Sequence, residues 1–149
     1  MKTYNSDNFK ARKFAPHGTI KLESFDNGIK FYRAIGPFNL ELFNAYKSLE
    51  HSNLKEKQPY CKVVVFENSC LIHCDVLYEL QGYIEEKEVL GMLPLATAFV
   101  IPDDLEGAIL MNEAFSKIYE KSSQEFFCFE TKEAAIKWVE TCLNNLKMS

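Results

Sequence analysis

The densest group of reactive side chains in this chain is Ser69-Cys70-Leu71-Ile72-His73-Cys74-Asp75. Two thiols, an imidazole, a hydroxyl and a carboxylate within seven residues invite three chemistries. A zinc site needs four ligands, usually as two closely spaced pairs. Here the cysteines are spaced Cys-x₃-Cys and no second pair exists, so zinc is the weakest reading. A thiol site is better supported, because Cys74 falls at an expected helix start, where the helix dipole favours a thiolate. His73 would assist and Asp75 would oppose it. Inert packing is the third reading, since cysteine in an apolar segment behaves as a small hydrophobe.

The other candidate groups are acidic and scattered. Glu67, Asp75, Asp103, Asp104, Glu106 and Glu130 fall in loops expected at the carboxyl ends of strands, the usual ligand crevice of open α/β sheets. A Mg²⁺ site would need such oxygens, but short acidic residues there read first as helix caps. The same loops hold no glycine-rich phosphate cradle and no Lys-Ser/Thr pair, which disfavours ATP and dinucleotides. His17 and His51 stand alone and read as surface residues, so no Ser-His-Asp or Cys-His-Asn set can be assembled. No cofactor and no metal are expected, and the reading is of a protein that is not an enzyme.

The elements that must position these groups follow a clear rhythm. Thr19 to Phe25 and Ile29 to Gly36 alternate in polarity around Asp26-Asn27-Gly28, which predicts a tight hairpin. Cys61 to Phe66 and Leu95 to Ile101 are apolar on both faces, as buried parallel strands are. Phe126 to Phe129 supplies a fifth strand. Helical stripes lie between and after them: Leu42, Phe43, Tyr46 and Leu49; Val76, Leu77, Leu80 and Ile84; Leu105, Ala108, Ile109, Asn112, Phe115 and Ile118; and Ala135, Trp138, Val139, Cys142, Leu143 and Leu146. Glu79, Glu85, Glu86 and Lys87 read as the solvent face of the second helix. Asn39, Asp75 and Thr131 are expected helix caps, and Trp138 is expected to anchor the last helix. The order is ββαβαβαβα. Strands joined through helices are parallel with right-handed crossovers, so the fold class is α/β, a five-stranded mixed and mostly parallel sheet with four helices.

Composition sets the outer bounds. The 149 residues are 47% hydrophobic and 26% charged, with 12 Phe and 7 Tyr, which suits one globular domain with a well-filled core. Lys2, Lys10, Arg12 and Lys13 against Asp7 give the first 15 residues a net charge of +3, so the rest carries −7 of the overall −4. An acidic body argues against nucleic acid. Residues 1–15 read as a flexible arm and 16–149 as a single domain. No apolar run reaches the roughly 18 residues of a membrane span, so an integral membrane protein is not expected. The polar start and five unpatterned cysteines point to a reducing, cytoplasmic location.

The end of the chain carries a family resemblance. Thr97-Ala98-Phe99-Val100-Ile101, an acidic stretch and helix, and then Phe126-Phe127-Cys128-Phe129-Glu130-Thr131-Lys132-Glu133-Ala134-Ala135-Ile136-Lys137-Trp138-Val139 resemble the close of a SpoIIAA-like domain. In that family a short aromatic strand runs into a helix opening as Thr-x-Glu-x-Ala-x-x-Trp-Leu. The match spans about residues 18–146. The family is similar to the STAS domains of anti-sigma-factor antagonists, small cofactor-free modules that bind a partner protein. The resemblance implies a non-enzymatic regulatory or protein-interaction module with an unidentified protein partner, and self-association as a homodimer is left open. Some STAS domains carry a phosphorylated serine in an Asp-Ser-Ser-Gly-like turn. Here the turn reads Asn68-Ser69-Cys70-Leu71; Ser69 fits, while the Asp and the Gly are absent. Ser69, Cys70, Cys74 and Asp75 form the implied partner or switch surface, with Ser69 expected to go unmodified. Two alternatives stand beside this: a binder of an apolar small molecule or lipid between helices and sheet, and a thiol redox sensor through Cys70 and Cys74.

Overall fold

A computed structural model of the chain describes residues 4–5, 18–53 and 59–148. The strands are β1 (Tyr4–Asn5), β2 (Thr19–Asp26), β3 (Ile29–Ile35), β4 (Cys61–Glu67), β5 (Ala96–Val100) and β6 (Glu125–Phe129). The helices are α1 (Leu40–Asn53), α2 (Cys74–Val89), α3 (Ala108–Glu120) and α4 (Lys132–Met148). Strand order in the single sheet is β1-β2-β3-β4-β5-β6. β2 and β3 are antiparallel, and β3 to β6 run parallel. The five expected strands and four helices are all present. One strand is added, because Tyr4–Asn5 of the N-terminal arm pairs antiparallel with Lys21 and Leu22. His17 and the Lys55-Glu56-Lys57-Gln58 connection lie outside the described residues.

The hairpin forms where Asn27 and Gly28 both take positive φ, 54° and 82°. That pairing suits the twist of a two-residue hairpin loop. Sequential parallel strands with right-handed crossovers carry their helices on one face. Accordingly α1, α2 and α3 cover one side and α4 returns over the other. The helix-rich side buries Tyr32, Val64, Phe66 and Phe99 against Leu42, Leu49, Val76, Met111 and Phe115. The opposite side buries Cys61, Val63, Ala98 and Val100 against Ala135 and Val139. Phe99 centres an aromatic cluster, with ring centroids 5.0 Å from Phe66, 4.9 Å from Phe115 and 5.0 Å from Phe126. Edge-on pairs at such spacings add to plain area burial.

Several positions differ from their expected roles. α3 begins at Ala108 after Gly107, whose φ is 82°, and its buried stripe is Ala108, Met111, Phe115 and Tyr119. Ile109, expected inside, is 89% exposed. The later start rotates the stripe relative to a helix begun at Leu105. Asp75 is the second residue of α2 rather than its cap, and its carboxylate accepts the Val76 N–H at 2.8 Å. Asn39 and Thr131 do cap, accepting from Leu42 at 3.0 Å and Ala134 at 3.3 Å. Among the described residues no helix is long and apolar enough to cross a membrane.

Trp138 is half-buried, lying across Phe127 and Phe129 at 6.4 and 5.5 Å between centroids. Ala135 and Val139 are the α4 residues wholly enclosed against the sheet. Trp138→Ala is therefore expected to cost about 2 kcal/mol in a urea titration, below the roughly 3–5 kcal/mol of an enclosed aromatic. A loss of 4 kcal/mol or more would show that Trp138 is the anchor after all.

Candidate functional site

The parallel register places three polar residues side by side on the helix-covered face. Lys30 pairs with Lys62, and Lys62 with Thr97. Strand side chains alternate between faces. Lys30 therefore shares a face with Tyr32, Lys62 with Val64 and Phe66, and Thr97 with Phe99. All three polar residues are buried. They form a polar row at the amino end of a core that is otherwise apolar.

Glu50 of α1 closes over this row and is 0% exposed. Its Oε2 accepts from the Tyr32 hydroxyl at 2.8 Å and from Lys62 Nζ at 2.9 Å. Its Oε1 accepts from the Tyr83 hydroxyl at 2.8 Å and from Lys87 Nζ at 3.3 Å. A carboxylate offers about four acceptor positions, so these donors saturate it. Lys62 also donates to the Tyr46 hydroxyl oxygen. Lys87 donates to the Tyr60 hydroxyl at 3.3 Å, which passes its own proton toward the Met92 carbonyl at 3.2 Å. Lys30 Nζ lies 4.6 Å from the Tyr60 ring centre and 5.2 Å from that of Phe25, a cation–π setting. Thr97 completes the row by donating to Gln124 at 2.5 Å.

Burial alone would push the Glu50 carboxyl up. Lys62 and Lys87 outweigh it and, with the hydrogen bonds, hold the group well below the ordinary carboxylate range. Burial pulls the Lys62 ammonium down to about 8; Glu50 opposes this while Lys87 and Lys30 reinforce it. Burial also depresses Lys87, but Glu50 and Tyr60 more than compensate, so it ends above its usual value. Tyr32 is raised by burial and by the Glu50 charge beside it.

Directly against this cluster lies a cavity of about 70 Å³ between the sheet and α1, α2 and α3. Its walls include Ala34, Leu42, Val64, Phe66, Leu80 and Phe115, and the apolar parts of Lys62, Tyr32 and Tyr46 complete an almost wholly apolar lining. The site is thus an apolar chamber that lies against a buried charged cluster.

The residues expected from the sequence sit at the opposite, carboxyl end of the strands. Ser69 is 1% exposed. Its Oγ donates to Glu106 at 3.0 Å and accepts from the Leu71 N–H at 3.1 Å. Cys70 is 0% exposed, its N–H donates to the Glu106 carbonyl at 3.0 Å, and burial pushes its thiol up to about 11. Cys74 and Asp75 are exposed on the first turn of α2. The structure therefore separates the four, with two inside the rim and two in solvent. The rim is tightly knit: Phe38 donates to the Leu71 carbonyl at 3.0 Å and Asn68 Nδ2 to that of Gly36 at 2.6 Å. A methyl group at Gly36 would overlap the Ser69 carbonyl oxygen, so only glycine permits this approach. On the exposed rim the neighbouring Asp103 carboxyl pushes Glu130 up. Among the described residues no three His, Cys, Asp or Glu side chains are grouped to hold a metal ion.

Sequence reasoning passed over Glu50, Lys62 and Lys87, and placed Lys87 on the solvent face. A signal existed in each case. Lys87 falls on the stripe of Val76, Leu80 and Ile84, Glu50 falls four residues after Tyr46, and Lys62 keeps strict alternation with Val64 and Phe66.

No protein-family model matches the chain, and no curated protein is similar to it. A similar solved structure is that of an uncharacterised protein from Shewanella loihica PV-4, described as a DUF3478 family member with a SpoIIAA-like fold. Its identity to this chain is 15% and its TM-score 0.59, and the match covers 86% of this chain and 98% of that one. The likeness establishes the SpoIIAA-like fold.

Removing the Glu50 charge strands two buried ammoniums. Glu50→Gln is expected to cost about 3–5 kcal/mol, as broken buried pairs do. The pH dependence has a definite sign. The folded-state value lies below the ordinary 4.5, so the unfolded chain binds the proton more readily. Glu50 therefore contributes stability above about pH 4.5 that is lost as pH falls toward its folded value. Urea titrations across that range are expected to show a shallower acid decline in Glu50→Gln than in the unaltered protein. Parallel declines would contradict an ionised, paired Glu50.

Proposed function

With the SpoIIAA-like fold as premise, we propose that the chain is a non-enzymatic binding module that houses a small apolar molecule between helices and sheet. The observation that carries this reading is the 70 Å³ chamber. Interiors normally pack to crystal density with few voids beyond the size of a water. Left empty, a void of this volume costs about 1.7 kcal/mol at roughly 24 cal/mol per Å³. Apolar walls give a water few partners, so an apolar occupant suits the space better. The chamber has about half the volume of an engineered cavity that accepts benzene. By that measure a group of about two or three carbons matches it.

Protein recognition is the second reading, and a separate observation favours it. Tyr78 on α2 and Ile109 and Leu110 on α3 are 79%, 89% and 66% exposed. They stand on neighbouring helices near the ends where the chain enters both. Large apolar side chains exposed on adjacent helices suit a protein partner. Ser69 is enclosed, so the contact would be made by this helix face and by the exposed Cys74 and Asp75, independently of modification at Ser69.

The ligand reading is tested with 1-propanol as probe. At ten times its dissociation constant, binding to the folded state adds about 1.4 kcal/mol and raises Tm by about 3–5 °C for a chain of this size. Ala34→Leu fills the chamber and is expected to abolish the rise while leaving the protein folded. An equal rise in both proteins would place binding elsewhere, and no rise in the unaltered protein would refute the reading.

A further inference from the structure

We propose that the chain pairs with a second copy of itself through the open edge of β6, joining the two sheets into one across a two-fold axis at Phe127. This surface is separate from the exposed residues of α2 and α3, and it does not depend on the chamber.

β6 ends the strand order and pairs with β5 on one side. The ladder shows which of its backbone groups are already used. The Glu125 N–H donates to the Leu95 carbonyl at 3.1 Å, and the Phe129 carbonyl accepts from the Ile101 N–H at 2.7 Å. Along a parallel strand alternate residues turn their backbone groups to the same neighbour. Glu125, Phe127 and Phe129 therefore bond to β5, while Phe126 and Cys128 point their N–H and C=O groups outward. Among the described residues no strand receives them.

The side chains leave this edge clear. The Phe126 ring stacks back on Tyr119 of α3 with centroids 4.1 Å apart, and Cys128 is small. Phe127 is 56% exposed and stands on the α4 face, 4.9 Å from the Phe129 ring and 6.4 Å from that of Trp138. Proteins guard edges with lysine, proline or a bulge. Glu125-Phe126-Phe127-Cys128-Phe129 has none of these and runs in unbroken register with β5.

A second copy fits because this strand complements itself when reversed. An antiparallel partner centred on Phe127 sets Phe126 of one copy opposite Cys128 of the other, twice across the axis. Both residues point outward, so each such pair exchanges two N–H···O bonds. Phe127 meets Phe127 at the close, non-hydrogen-bonded position, and aromatic cross-strand pairs stabilise a sheet. Glu125 falls opposite Phe129, so the charge on this edge meets no like charge. Asn112, Ser116, Ser122 and Ser123 border the same edge, a polar rim around an apolar centre. An unrelated strand would have to match this pattern independently, whereas two-fold symmetry, the commonest in soluble oligomers, supplies the match.

Amide exchange followed by NMR, with sedimentation equilibrium at the same concentrations, tests this on the unaltered full chain. A five-residue strand pair is a small interface and hence a weak one. The mass is expected to climb from 17.2 kDa toward twice that value between low micromolar and millimolar concentration. Over the same range the Phe126 and Cys128 amides are expected to become protected, while the Phe127 amide, bonded within its own sheet, is protected throughout. Cys128→Pro spares every bond to β5 and removes an outward donor, the setting in which edge strands tolerate proline. It is expected to weaken the dimer about ten-fold, as one hydrogen bond lost from each copy would. Phe127→Lys places a charge on the axis, as guarded edges do, is expected to leave a monomer, and serves if the proline variant does not fold. A monomer at millimolar concentration would overturn the proposal. So would a dimer in which the Phe126 and Cys128 amides exchange freely, which would place the contact elsewhere, or a dimer unmoved by either variant.

Discussion

The Glu50 carboxylate is the constraint on which the helix-covered half of the molecule depends. It comes from α1, and its four donors come from β3, β4 and α2. One buried charge therefore ties four elements that are distant in sequence. A carboxylate removed from water is tolerable only with charge partners and filled acceptor positions, and both conditions hold here. The arrangement also fixes register. A one-residue slip of β4 would carry Lys62 to the α4 side, where Val63 now packs, and would leave Glu50 with a single ammonium.

This buried charge lies at the unexpected end of the fold. Open α/β sheets usually present ligands at the carboxyl ends of their strands. In this chain that end is closed by backbone hydrogen bonds from Gly36 to Glu67, Phe38 to Leu71 and Cys70 to Glu106, with Ser69 sealed inside. The amino end instead holds three lysines and a glutamate under an apolar chamber. Packing explains how the chamber persists. Phe66, Phe99, Phe115 and Tyr119 hold one another edge-on or tilted, and rigid rings in contact cannot relax into a neighbouring void as flexible chains do.

The fold was largely legible in the sequence because its signals are local. Asn27-Gly28, the Val63-Val64-Val65 run and the Thr131 cap each act within a few residues. The boundary of α3 was not legible, because Gly107 in a left-handed conformation delays the helix, and Ile109 then turns outward. The charged cluster was missed for a different reason. Lysine and glutamate are seldom fully enclosed, so each is read as solvent-facing until its partners are seen. Lys62, Lys87 and Glu50 become intelligible together, since each is buried on account of the others, and they come from separate elements. Ser69, Cys70, Cys74 and Asp75 show the converse. Adjacent in sequence, they are split by a rim that buries the first two and exposes the rest.

A double-mutant cycle on Glu50 and Lys62 tests the central claim most directly. Unfolding free energies of the unaltered chain, Glu50→Gln, Lys62→Met and the double variant isolate the pairwise term. A coupling of about 2 kcal/mol or more is predicted, with the double variant losing far less than the two single losses combined. Additive losses, with a coupling below about 0.5 kcal/mol, would show that the pair is incidental and that Glu50 does not hold the helix-covered core in register.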